Sequence, residues 1–268
     1  MNSYSRSWLK PTLTLISLVL LTWRATVAPV DPWNLLSPKK IATMILSLAA
    51  IQAFGSVLAQ YLGTRTGSIL TGFFGGLISS TATTASLAKK SKISKDHSPG
   101  EVLVFLSATG AMLFEGLALV VTGTTDLHLS NLIIFIGPLL ATVGMIVRDY
   151  RSHSDQPSSS SDSTFQILPI QKLSLFILAI LSVSKVCQNL FGQNGLLVLT
   201  SLVSLFGIHG AVIANVQLHE SGLVSANLLC SLLAVSLVAS YLSKLFLIST
   251  LGSTKLRSQA VQRTFILF

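Results

Sequence analysis

Three charged side chains stand inside long apolar runs. Glu115 lies within residues 102–121, Lys185 within 173–191, and Lys244 near the end of 224–247. A lipid-facing charge at mid-depth in a bilayer costs at least roughly 2.5–3.5 kcal/mol on insertion scales. Such groups must therefore face the protein interior, pair with one another, or reach a membrane face along a flexible stem. Glu115 sits mid-run on a short stem and must face inward. Lys185 and Lys244 have stems long enough to reach an interface. A second set is uncharged. Ser79, Ser80, Thr81, Thr83 and Thr84 form a dense hydroxyl run behind Gly72, Gly75 and Gly76. Hydroxyls ligate hard cations through oxygen, donate to anions, or bond back to helix carbonyls. His209 and Asn215 occupy another polar, glycine-containing stretch. A histidine there is either a pH-responsive group or a satisfied interior hydrogen-bonding group.

The elements that position these residues follow from composition. Charged residues are 10% of the 268-residue chain and mean hydropathy is +0.70. A water-facing domain carries about 25% charged residues. This chain cannot cover itself in water, so lipid is its expected solvent. The net charge of +9 is clustered at Lys89, Lys90, Lys92 and Lys95, at Arg148 and Arg151, and at Lys255, Arg257 and Arg263. None of these clusters alternates with aromatics in the way a nucleic-acid surface would, and the pattern fits topology signalling and attraction to anionic lipid. Cys187 and Cys230 lie in apolar runs without metal-ligand spacing and read as inert thiols. Nucleophile elbows, phosphate loops, metal-spaced His/Cys sets and carboxylate clusters do not occur. The expectation is a protein that is not an enzyme and has no cofactor or metal.

Residues 1–11 read as an N-terminal cytoplasmic segment. Residues 12–30 read as a retained first span, flanked by Trp8, Trp23 and Trp33 at the two interfaces. Further spans are expected at 41–62, 102–121, 132–147, 173–191 and 224–247. Residues 149–168 form a Ser-rich linker of disordered composition. It separates a first membrane repeat, 12–148, from a second, 169–248. A basic tail, 249–268, follows.

The halves share a pattern. Gly63 and Gly67 close one turn, as Gly192 and Gly195 close the other. Gly67 to Glu115 is 48 residues and Gly195 to Lys244 is 49. This spacing places Glu115 and Lys244 at matching positions, where a salt bridge across the pseudo-symmetry axis is expected. Topology hinges on segments 67–88 and 195–216. If both cross the membrane, the fold is eight spans with parallel repeats. If both are re-entrant, it is six spans plus two re-entrant segments arranged as an inverted repeat. The loop Lys and Arg residues divide 13 to 3 in the second case and 10 to 6 in the first. The 13 to 3 split is the better match to positive-inside behaviour. The expected fold is therefore an all-α polytopic membrane protein of the six-span, re-entrant type. Probes at Lys92 and Glu220 distinguish the two, since only the re-entrant form puts them on opposite faces.

The stretches Asp31-Pro32-Trp33-Asn34-Leu35-Leu36-Ser37-Pro38, Leu62-Gly63 and Gly72-Phe73-Phe74-Gly75-Gly76-Leu77-Ile78-Ser79-Ser80-Thr81-Ala82-Thr83-Thr84 carry a resemblance. The chain resembles a bacterial membrane domain of unknown function (domain of unknown function 4010), often found with MgtC/SapB-like proteins. The second half matches less closely, through Ser184, Lys185 and Gln188 ahead of Gly192. The resemblance implies a multi-pass protein of the inner (cytoplasmic) membrane with a transport-related role. It also implies a basic residue where Glu115 stands and an Asp-x-Asp where Gly207-Ile208-His209 stands, so this chain departs from the pattern at both. Lys244 is retained. The function expected is a transporter or channel-like protein for a small solute or ion, using Ser79, Ser80, Thr81, Thr83, Thr84, Glu115, Lys185, His209, Asn215 and Lys244. The alternative is a non-transporting scaffold or regulatory subunit of a larger complex. Membrane lipids, and a second copy or a partner membrane protein, are the expected partners.

Overall fold

The computed structural model describes residues 16–17, 19–20, 22–25, 37–62, 67–93, 100–152 and 170–267. Most of the expected first span, Trp8, Trp33, the first glycine turn at Gly63 and the Ser-rich linker lie outside the described residues. The described chain is helical, without strands: α1 (Pro38–Leu62), α2 (Ser68–Ile93), α3 (Gly100–Gly123), α4 (Leu129–Ser152), α5 (Ile170–Phe206), α6 (Ile208–Glu220), α7 (Ala226–Leu251) and α8 (Thr254–Leu267). Five of these, α1, α3, α4, α5 and α7, are long and apolar enough to cross a membrane. Large apolar side chains on α5 and α7, including Leu190, Val198, Leu202, Leu242 and Phe246, are exposed at the molecular surface. An apolar surface of that kind suits lipid and not water.

Three breaks set the architecture. At Ser79 the backbone of α2 leaves the helical region, with φ −167° and ψ 102°. The two arms then fold back on each other. A Cβ added to Gly75 would lie 2.9 Å from Thr83 Oγ1, whereas eight residues of straight helix span roughly 12 Å. At Gly192, φ is +60°, a left-handed conformation that only glycine adopts without strain. There the chain folds back so tightly that a Cβ on Gly195 would lie 2.7 Å from the Cys187 carbonyl oxygen. The expected second glycine turn is thus present, and it divides α5 into a long helix and a short arm. The third break, at Gly207, separates this arm from α6. Thr200 on one side donates to Asn215 on the other, 3.1 Å away, so this pair of arms also folds back. The chain therefore contains two helical hairpins, with tips at Ser79 and Gly207. Each tip lies 12 residues beyond its glycine, Gly67 or Gly195.

The first hairpin is built on α3. A Cβ on Gly72 would meet Val104 Cα at 2.8 Å and Ser107 Cβ at 2.9 Å, and one on Gly76 would meet Ala108 Cα at 2.6 Å. Small residues on both sides allow this backbone approach, as in membrane helix pairs. Two polar ties mark the ends of the molecule. At one end Ser91 accepts from the Ser253 amide at 3.1 Å, and Asp149 pairs with Arg263 at 2.8 Å. Arg148, Arg151, Lys255 and Arg257 lie at this basic end. At the other end Glu220 pairs with Lys40 and accepts from the Thr125 amide and hydroxyl, each at 2.9 Å. Burial pushes the Glu220 carboxyl up, but the bonds from Lys40 and Thr125 outweigh it and hold the group below the usual carboxylate range.

One sequence boundary shifts: residues 149–152 continue α4 instead of opening the linker. Within the basic tail, residues 254–267 form α8, which buries Leu256, Ala260 and Thr264. These recur every four residues and so form one stripe along a helix. The stripe packs in a cluster with Leu87, Ala88, Phe105, Met145 and Ile248.

Candidate functional site

The interior charge cluster forms where the second hairpin's tip meets α3. His209 is the second residue of α6, directly after the break. Its Nε2 lies 2.9 Å from Glu115 Oε2. The contact is close but poorly directed, and neither carboxylate oxygen receives a well-aligned donor. Glu115 is fully buried, whereas 19% of the His209 side chain is exposed. A carboxylate at the start of α6 also faces the positive end of that helix.

Lys244 is fully buried, so it does not extend to a membrane face. Its ammonium contacts the Met112 thioether, which also accepts from Ser240 Oγ at 3.1 Å. The ammonium is 6.0 Å from the Tyr241 ring centroid. The expected salt bridge between Glu115 and Lys244 is not made within 4.0 Å. Met112 precedes Glu115 by one turn of α3 and meets Lys244 first, while the hairpin tip delivers His209 to the carboxylate instead. Lys244 still acts on Glu115 as a nearby charge. Thioether sulfur is a weak acceptor, so Lys244 is left without a strong one.

The hydroxyl run divides. Ser79 caps the returning arm by accepting from the Ala82 amide at 3.3 Å. Thr84 bonds back to the Ser80 carbonyl at 2.8 Å. The hydroxyls of Ser80, Thr81 and Thr83 make no hydrogen bond among the described residues. Ser80 and Thr83 are nevertheless only 4% and 6% exposed. Helix register places them approximately. The first arm runs alongside α3, with Gly72 at Val104 and Gly76 at Ala108, so its tip at Ser79, with Ser80 next to it, comes to the level of Ala111 and Met112. The second arm runs beside α7 and ends with Ser91 at Ser253, so two turns back it brings Thr83 and Thr84 to the level of Lys244.

The remaining sequence candidates lie elsewhere. Asn215 bridges the second hairpin to α7, accepting from Thr200 and donating to Ser236 Oγ at 3.4 Å. It is a positioning residue. Lys185 is half-buried on the long part of α5 and joins no ion pair among the described residues. Both cysteines are half-buried free thiols. Sequence reading missed Met112 and Ser240, which carry no motif. It also missed the tie of Lys40 to Glu220, whose partners are 180 residues apart.

The helices and their apolar surface define an α-helical membrane protein with a buried polar centre. The chain belongs to the family described as a domain of unknown function (DUF4010), whose model matches residues 47–252. No curated protein and no solved structure matches it.

Proposed function

We propose that this protein is a transporter or channel-like protein of the cytoplasmic membrane, carrying a small solute or ion past the two hairpin tips. The observation that supports it most is the buried pair Glu115 and Lys244, with the partly exposed His209 against Glu115, beside a broken helix. Intramembrane ionisable groups are costly and mark ion or substrate pathways. Discontinuous helices that meet at mid-depth are a construction transporters use. The reading has six spans, residues 12–30 among them, with two re-entrant hairpins that open toward opposite ends as an inverted repeat. The basic end, with Lys89, Lys92, Arg148, Arg151, Lys255 and Arg257, faces the cytoplasm.

Two measurements test this. In a chain with Cys187→Ser and Cys230→Ala, Lys92→Cys is expected to react with an impermeant thiol reagent from the cytoplasmic side alone. Ser221→Cys, next to Glu220, is expected to react from the opposite side alone. Reaction of both from one side establishes the eight-span form instead. In proteoliposomes the wild type is expected to carry ions or solutes, and Thr81→Val and His209→Gln to slow flux by up to about tenfold, the order of one lost hydrogen bond to the solute. Absence of flux across common inorganic ions and small organic acids, with both variants indistinguishable from wild type in cells, rejects transport.

A further inference from the structure

Resting on that transport reading, we propose that the site at the first hairpin tip binds a small anion, and that each anion enters together with one proton. The groups facing the site hold both kinds of evidence. Donors dominate at this level of the fold: the Lys244 ammonium from α7, the imidazole of His209 from α6, and the Ser80 and Thr83 hydroxyls of α2, which the arms' register brings to the same level. Glu115 of α3 is the carboxylate among them, and no cluster of metal-binding side chains occurs among the described residues. Ser80, Thr83 and Lys244 are all more than nine-tenths buried. The two hydroxyls lack partners, and Lys244 holds only a thioether and the face of Tyr241. The second arm of α2 also begins here, which adds the positive end of a helix to the donor set.

Charge balance supplies the proton. With His209 neutral, Glu115 and Lys244 cancel and the site carries no net charge. An anion added to that state would leave one uncompensated negative charge in a low-dielectric interior, which is costly. A proton taken from bulk water onto the imidazole cancels it. Geometry then directs the exchange. Protonated His209, 2.9 Å from Glu115, becomes the counter-ion of the carboxylate. Lys244, more than 4.0 Å from that carboxylate, is released to the anion. Of the two charged groups beside Glu115, His209 is the one that reaches the molecular surface, so it is the entry point for the proton.

The test uses full-length protein purified in mild detergent, in weakly buffered solution with a pH indicator. Sodium chloride, nitrate, acetate and phosphate are titrated in turn. The expected result is saturable binding of at least one of these anions with uptake of about one proton per anion. Lys244→Met is expected to abolish binding. Ser80→Ala with Thr83→Val keeps every charge and is expected to weaken binding about tenfold, which covers the case in which Lys244→Met does not fold. His209→Gln is expected to separate the two events, with weaker anion binding and no proton uptake. Saturable cation binding with proton release, or anion binding in wild type without proton uptake, overturns the proposal while leaving transport intact. Coupled anion and proton binding without flux in proteoliposomes upholds the site and rejects transport.

Discussion

Glu115→Gln is expected to lower the stability of the purified protein by about 1–3 kcal/mol, less than a broken buried ion pair costs because Lys244 loses a nearby charge and not a direct partner. The uncompensated group is Lys244, which is fully buried and has a thioether as its nearest acceptor. Adding Lys244→Met to Glu115→Gln removes that charge and is expected to restore most of the loss. Lys244→Met alone is expected to cost less than Glu115→Gln alone, because Glu115 retains His209 at 2.9 Å. Thermal unfolding in detergent measures the difference, at roughly 2–4 °C per kcal/mol for a chain of this size. Additive losses in the double variant would mean that the two groups are not coupled. No loss in Glu115→Gln would mean that Lys244 finds another partner, and the interior charge balance would have to be redrawn.

The second large effect concerns the seam under the first hairpin. Gly76→Val is expected to destabilise by about 1–3 kcal/mol or more, the range for overpacking a close-packed contact. A Cβ at that position would meet Ala108 Cα at 2.6 Å and Ala111 Cβ at 2.8 Å. Backbone cannot yield there as a flexible side chain tip could. Gly144→Ala on α4 is the control, since nothing lies within 4 Å of the added atom. The same unfolding measurement should separate them clearly. Equal stability of the two variants would show that the hairpin is not seated on α3 through this seam.

The contrast between Gly76 and Ser79 shows what the sequence could reveal. Density of glycine and hydroxyl residues marked 67–88 as a segment unlike an ordinary span, and the turn at Gly192 was legible because only glycine holds a positive φ there without strain. The break at Ser79 was not legible. Its φ of −167° is extended backbone that any residue adopts, so nothing in the residue type announces it. Partner choice was hidden for a different reason. Glu115 and Lys244 match in spacing, but which basic side chain reaches the carboxylate depends on how far the second hairpin carries His209. That distance is a property of packing against α3 and α7. Helix α8 was masked by its charge: Lys255, Arg257 and Arg263 outweigh a buried stripe made of just Leu256, Ala260 and Thr264.

The hairpins also constrain the order in which the chain can be assembled. Ile208–Glu220 has 13 residues, a rise of roughly 20 Å against a hydrocarbon core about 30 Å thick. Such an arm cannot be released into lipid by itself as a finished span. The first hairpin leaves the ribosome before α3, the helix that seats its glycines. The second leaves before α7, which holds Asn215 through Ser236. The first hairpin is therefore synthesised ahead of its support, and the second, which can meet α3 at once, ahead of α7; each must be sheltered until the later helix arrives. Biogenesis of this protein should thus depend on an insertion machinery able to retain weakly apolar segments, and variants that loosen either seam should accumulate in the membrane at lower levels than wild type.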